Sequence, residues 1–477
     1  MNCKTDMVPQ AANPILPLDE LIPDVEARVF RNRAGEERVY LYGSHDEFGS
    51  ETWCSYQYRV YSSPVTDLKN WTDHGVSFAS RKGEGYIWNG EDTDGVPWSD
   101  GRLYAPDVNK IGDTYYLVTC NEGGPCLGMA TSPDPEGPFC PAQKIVYDDG
   151  TETSSIDPAL YVEPETNQVY LLWGQRPQFG ARGLLGAELI QDENGVFRIV
   201  KKETERVLFT GEGDAFGFYE GASIRKVGEK YYLLYPSDHG KGLHMMSYAI
   251  ADHPLGPYQF GGELLENDGC DLEPGNNHGS FCEINGQWYL FYHRGFGNSN
   301  MQRRVCVEKI FFHPDGHIGD QNGDLLLMTN HGFGGPLNPF QEIQASYATR
   351  VRIEGFPSGC YLTEKGKNLH PLIHIQNGNC VEYRDFDFGT SPHKKILAAQ
   401  FAGRDGGRLE ITVDSPGNPS IAALAIGPGN GEVYQTQESS AFDLSGIHTI
   451  YFKFYGQDGR EIGDLASFTF RECSSQE

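Results

Sequence analysis

Positive charge is scarce in this chain of 477 residues: 38 lysines and arginines face 66 aspartates and glutamates, a formal net charge of −28. A nucleic-acid partner needs a basic face, so none is expected, and an uncharged substrate is. Long apolar runs are missing too. No stretch reaches the roughly 18 apolar residues of a membrane span, and MNCKTDMVPQ at the start has no apolar segment behind a basic one. As it stands the chain reads as cytoplasmic with no membrane partner; with a leader already removed it would read as secreted or periplasmic. The eleven cysteines are an odd number without C-x-x-C spacing, so neither a zinc site nor a complete disulfide framework follows from them. Several sit in apolar runs such as Val305-Cys306-Val307, where a thiol is a small hydrophobe, and this favours a reducing compartment.

Helical periodicity is absent as well, and strand patterns stand in its place. Aromatic residues at 12% and 58 glycines fit a β-rich, turn-rich protein. IDPALYVEPETNQVYLLWG, residues 156–174, reads as a hairpin with a carboxylate, Asp157, at its mouth. The same statement recurs in PDVEARVF with RVYLYGS (23–44), YAPDVNKIGDTYYLVTC (104–120), YEGASIRKVGEKYYLLYPS (219–237) and HGSFCEINGQWYLFYHR (278–294). Five such units at intervals of roughly 50 to 80 residues predict a five-bladed β-propeller over residues 13–330. The lead-in ANPILPLDELI reads as extended chain. SPDPEGPF (132–139) and ADHPLGPY (251–258) share a P-x-G-P-aromatic ending and are expected to close equivalent outer strands of blades two and four. No S-x-D-x-G-x-x-W box of a sialidase occurs in such turns. HGFGGPLNPF, residues 331–340, reads as a linker. All six tryptophans precede it, and residues 341–477, with short alternating runs such as LEITV and TIYFKF, predict a β-sandwich of the jelly-roll kind.

In a propeller the innermost strands line one axis, so their mouths converge although they are distant in sequence. Here the mouths offer Asp24, Tyr104, Asp157, Glu220 and His278. Glycoside hydrolysis needs one carboxylic acid to protonate the leaving oxygen and one carboxylate to activate water or attack. A third carboxylate raises the acid's pKa by repulsion. Asp24 and Asp157 each stand beside a proline, where aspartate also forms turns, whereas glutamate is a poor turn former and Glu220 is harder to explain that way. Asp107 of YAPDV falls out of register with Glu220 and reads as structural. Trp88 and Trp98, in the long glycine-rich stretch between the first two units, are candidates either for stacking on substrate or for packing between blades.

The lead-in NPILP with IPDVEARVF, then YAPDV, SSIDPAL, YEGASI and NNHGSF with WYLFYHR, together resemble the successive blade motifs of glycoside hydrolase family 43 across about residues 13 to 330. The resemblance implies a five-bladed propeller of inverting enzymes acting on arabinofuranosides, xylosides and some galactosides of plant cell walls. It implies Asp24 as general base, Asp157 as the residue that raises and orients the acid, and Glu220 as general acid. His278 matches the family's axial histidine, which often ligates a calcium or an ordered water beneath the substrate; no organic cofactor is implied. Tyr104 stands where the family has tryptophan in W-A-P, with Trp88 and His278 as further substrate-binding candidates. The reading is an exo-acting inverting enzyme that removes terminal α-L-arabinofuranose from arabinoxylan or its oligosaccharides. Its alternatives are a β-xylosidase or exo-galactosidase of the same family, and a non-catalytic carbohydrate-binding propeller. IQASYAT, CVEYRDFDFG, GGRLEITVDSPG and SGIHTIYFKFYG resemble carbohydrate-binding module family 6. IQASYAT lacks that family's calcium-ligating glutamate, and with no tryptophan platform Tyr434 and Tyr383 are the candidates to meet a sugar.

Overall fold

The computed structural model describes residues 12–473, apart from 176–182, 211–214, 240–244, 267–276, 297–298, 364–368 and 392. The described chain is all β, with only short 3-10 turns besides. The five hairpins expected from the sequence open five successive sheets. Their first strands are Glu26–Arg31, Leu103–Ile111, Ile156–Val162, Ser223–Val227 and Ser280–Ile284. Each pairs antiparallel with the next strand of the chain, and each sheet runs outward from it. The first strands touch one another in a closed ring, blade five against blade one.

Why the second strands read as unbroken apolar runs becomes clear from where alternate residues go. A strand turns successive side chains to opposite faces, and here both faces are covered by a neighbouring blade. Tyr115 and Leu117 enter the cluster shared with blade one, while Tyr116, Val118 and Cys120 enter the one shared with blade three. Val169, Leu171 and Trp173 face blade two, and Tyr170 and Leu172 face blade four. Tyr289 and Phe291 face blade one; Leu290 and Tyr292 face blade four. One apolar cluster fills each gap between neighbouring blades, so the ring is held by side-chain burial, worth about 1.5–3 kcal/mol for each large apolar residue.

The extended lead-in latches the ring. Ile15 N–H donates to the Val305 carbonyl, and Asn13 bonds Val307, Glu308 and Asn330 of blade five and its continuation. The turns at 132–139 and 251–258 do lead from third to fourth strands of blades two and four, and each carries a cis Gly–Pro bond, Gly137–Pro138 and Gly256–Pro257.

The C-terminal part is a sandwich of two sheets. One is built on Glu461–Glu472 and Lys395–Gly403, the other on Cys380–Asp387, Ile447–Tyr455, Gly407–Val413 and Ala422–Ile426. Its core also takes in Ala12, Leu18 and Leu21 of the lead-in and Leu337. The glycine- and proline-rich 331–340 stretch is therefore packed rather than free: Leu337 bridges Phe386 in parallel, and Asn330 Nδ2 donates to the Tyr347 carbonyl at 2.5 Å.

Candidate active site

The strand mouths are backbone irregularities. Asp24 has φ 57°, Asp157 has φ 49° and Gly221, beside Glu220, has φ 62°. Residues with a Cβ rarely enter this left-handed region, and such strain clusters at functional sites. Bulges interrupt the pairing between Tyr104 and Asp107 and between Ile156 and Ala159. Pro106 and Pro158 fall within them, as residues that cannot donate to a ladder must, and a bulge re-aims the side chains beside it.

Asp24 is buried and surrounded by cations and imidazoles. Arg303 Nη1 donates to its Oδ1 at 2.9 Å, His293 Nδ1 lies 3.5 Å and His278 Nδ1 4.0 Å from the same oxygen, and its backbone N–H points at His293 Nδ1. Burial pushes this carboxyl up, but Arg303, the two histidines and the Ser44 hydroxyl outweigh it and hold Asp24 below the ordinary carboxylate value. Asp46 fixes Arg303 from behind: Nε and the backbone N–H reach Oδ2 at 2.9 and 3.0 Å, and Nη2 reaches Oδ1 at 3.0 Å. A fork of this kind sets the guanidinium's plane as well as its position. Trp53, half-buried, lies over the same guanidinium, 4.7 Å from ring centre to Cζ.

His278 joins this side of the site to the mouth of blade four. A Cβ built on Gly221 would stand 2.7 Å from His278 Cε1 and Nε2, so only glycine lets the ring lie against that backbone. Burial pushes the His278 pKa down, with Asp24 and Glu220 acting against it, which places both carboxylates in its electrostatic reach. Glu220 itself is half-buried. Asp157, buried, directs its backbone N–H to Cys120 Sγ at 3.3 Å. Cys120 pairs with Tyr104, whose carbonyl accepts from the Tyr58 hydroxyl. Asp157 also acts on the Tyr58 phenol. Going round the axis, the structure thus brings Asp24, His278 and Glu220 to one side and Asp157 with half-buried Tyr104 to the next.

Below the mouths the axis is plugged by charge. Arg28 Nη2 lies 2.8 Å from both oxygens of Asp107, and Arg225 Nη2 lies 2.8 Å from Glu26 Oε2; side-chain exposures run from 1% to 11%. Asp107 also accepts the Leu160 N–H. It is a structural residue, as its register suggested.

Among the aromatic candidates only Tyr383 is excluded by burial. Trp88 and Trp98, both half-buried, pack on the apolar cluster between blades one and two, which leaves one face of each open to either reading. Tyr383 is fully buried, its ring against Phe452 and Phe468 and its hydroxyl on the Ala345 carbonyl, so it cannot meet a sugar. Tyr434 is half-buried. Arg303, Asp46, His293 and Trp53 went unnoticed in the sequence. One signal was there: Arg303-Arg304 opens an apolar run, and a strand that buries arginine must hold a partner for it.

His278 also tests the expectation of a calcium. Calcium takes six to eight oxygen ligands, and among the described residues no three His, Cys, Asp or Glu side chains gather as a metal would need. The described donors alone do not make such a site.

The profile described as Glycosyl hydrolases family 43 matches residues 12–318. The chain belongs to that family. A second profile, Carbohydrate binding module (family 6), matches residues 357–472, so a family 43 catalytic propeller is followed by a family 6 sandwich. A xylosidase/arabinosidase of Thermoclostridium stercorarium is 35% identical, the match covering 65% of this chain and 66% of that protein. An arabinoxylan arabinofuranohydrolase of Bacillus subtilis is 26% identical over 91% of this chain and 88% of its own length. Among solved structures, the GH43_1 enzyme of Xanthomonas citri complexed with xylose superposes with a TM-score of 0.51 at 22% identity, covering 68% of this chain and 95% of that one; that likeness concerns the fold.

Arg303 gives this family 43 site a test of its electrostatics. In Arg303→Gln, Asp24 loses the strongest influence that lowers its pKa. The sign follows directly: the carboxylate will be protonated at higher pH, so the acid limb of kcat/KM should move upward. Asp46→Asn, which removes an anion whose charge acts on Asp24 while Arg303 stays, should move the limb the other way, downward and by less. An acid limb unmoved in Arg303→Gln would separate Arg303 from Asp24's ionisation.

Proposed function

We propose that the protein is an exo-acting, inverting glycosidase that removes terminal α-L-arabinofuranose from arabinoxylan, a plant cell-wall polysaccharide, or from its oligosaccharides. The observation that carries this reading is the division of duties on either side of His278. Asp24 is held ionised beside Arg303 on the Nδ1 side, and Glu220 stands at the mouth packed on the opposite edge of the ring. Both carboxylates act on the His278 ring, and inversion requires a separation of about 6.5–9.5 Å between them, which leaves room for a water.

In the proposed reaction Asp24 takes a proton from a water as the water's oxygen bonds to the anomeric carbon. The bond to the leaving oxygen breaks, and Glu220 gives that oxygen its proton. Asp157, one blade along, keeps Glu220 protonated through its negative charge. A Cβ built on Gly174, in the strand paired with that of Asp157, would lie 3.8 Å from Gly221 N, which brings the two mouths together. The plug of Arg28, Asp107, Glu26 and Arg225 closes the axis beneath and favours a pocket that takes a chain end. Trp53 over Arg303 and Tyr104 at its mouth supply aromatic surface for the sugar. A calcium at His278 would need ligands beyond the described residues, and chelation with EDTA followed by calcium return tests for it.

The arabinofuranoside reading draws support from the relative that spans both domains. A second reading, β-xylosidase, draws on the name of the relative with 35% identity. Aryl α-L-arabinofuranoside, β-xyloside and β-galactoside, assayed side by side with arabinoxylan, separate them. The arabinofuranoside should be favoured by at least about tenfold in kcat/KM, a difference of about 1.4 kcal/mol, with free arabinose released and the xylan backbone left intact. A faster xyloside would establish the second reading, and retention of the anomeric configuration would overturn the mechanism.

A further inference from the structure

Blade one sends a loop, residues 43–56, towards the mouths between its strands Glu37–Tyr42 and Gln57–Pro64, and Asp46, Trp53 and Cys54 all lie on it. Asp46 ties this loop to the site. Besides gripping Arg303 it accepts the Cys54 N–H at 3.2 Å, and Arg303 Nη2 points to Cys54 Sγ at 3.4 Å. Arg303 belongs to blade five, so the fork spans the closure of the ring. A loop holds such a group in place only as well as its supports allow.

The supports lead to the C-terminal domain. Asp46 N–H donates to the Leu21 carbonyl at 2.9 Å, and Leu21 lies in the core cluster of the sandwich. Phe48, half-buried and two residues further on, packs on the same cluster, its ring centre 6.5 Å from that of His370, within the range of an aromatic contact. His370, in the C-terminal domain and 3% exposed, also meets the other side of the fork: its Nδ1 lies 3.5 Å from Nη2 of Arg304, the residue next to Arg303. Burial, with Arg304's charge adding to it and Asp19's acting against it, pushes the His370 pKa down to about 4. Near neutral pH the ring is therefore uncharged, and Nδ1 accepts from the guanidinium. We infer that His370 and Phe48 are positioning residues for the hydrolysis: His370, set between the neighbours of Asp46 and Arg303, holds the fork from behind and so keeps Arg303 on Asp24. The C-terminal domain is thereby a brace of the catalytic site, whatever sugar it binds. This rests on Asp24 acting as the base in the function proposed above.

In the full chain, His370→Ala and Phe48→Ala should each lower kcat by up to about 10²-fold, the scale of a roughly 1 Å misplacement at a catalytic centre. Each should also move the acid limb of kcat/KM upward, as Arg303→Gln should, but by less. The sign comes from the groups that face Asp24: Arg303, His293, His278 and the Ser44 hydroxyl all lower its pKa, and the strongest of them is the one let go. Phe48→Leu, which keeps an apolar contact with the cluster, should restore most of the loss. Peptide-resolved hydrogen exchange should quicken over residues 43–56 in both alanine variants. Should His370→Ala fail to fold, Phe48→Ala, at a half-buried position, decides the matter. Unchanged exchange in that segment would overturn the inference. So would a lower melting temperature with an unshifted acid limb in both variants while Arg303→Gln shifts it, which would leave Asp24 its role and make both residues props of the fold alone. A limb unmoved in Arg303→Gln as well would take the base role from Asp24, and the inference with it.

Discussion

Glu220→Gln is expected to lose about 10²- to 10⁴-fold in kcat on arabinoxylan oligosaccharides and to keep most of its activity on dinitrophenyl glycosides, the range that a positioned proton donor contributes. Glutamine has nearly the glutamate's shape but no proton to give. A sugar alcohol leaves poorly as an alkoxide and needs that proton; a dinitrophenolate does not. The backbone around the residue should be undisturbed, because Gly221 and the His278 ring packed on it stay in place. The alkaline limb of kcat/KM, where the acid would ionise, should disappear with the side chain. Equal losses on both substrates would move the acid's role to another group.

The ring was legible because period-two alternation and hairpin punctuation are local signals that five units repeat. The unbroken runs YYLVTC, VYLLW and YYLLY already carried the fact that both faces of each second strand are covered. The mouths were legible for the same reason: Asp24, Asp157, Glu220 and His278 each open a repeat. Arg303 does not open one. It sits within the long third strand of blade five, Ser299–Phe312, and reaches the axis only because the closed ring brings that strand against Asp46 and Trp53 from blade one. Side chains supplied across such a closure carry no common spacing with the group they serve. Glycine and proline in 331–340 likewise report backbone conformation and not packing, so the burial of Leu337 against the sandwich could not be read from them. Tyr383 misled through its chemistry: a tyrosine in an apolar strand is as good a core residue as a sugar platform, and only the opposing Phe452 and Phe468 decide which.

Asp24→Asn should give the least selective loss, about 10²- to 10⁴-fold in kcat on every substrate whatever its leaving group, because water must be activated in each case. Asparagine is the right replacement, since at φ 57° it tolerates the left-handed backbone almost as aspartate does. Alanine would mix strain with lost chemistry. Stability offers a second readout whose sign can be worked out. The folded-state pKa of Asp24 is depressed, so the charge contributes stability that is present above the unfolded value and lost as pH falls through the folded one. The variant should melt below the wild type near neutral pH, and the gap should close as both are taken below the ordinary carboxylate range. With Arg303 still forked on Asp46, the guanidinium should keep its place and KM should change less than kcat. An Asp24→Asn enzyme that stays within about tenfold of wild type, or whose loss follows the leaving group as Glu220's should, would be incompatible with a base that acts on water. The carboxylate would then serve to bind the sugar or to orient His278, and the water would have to be activated by some other group at the mouths.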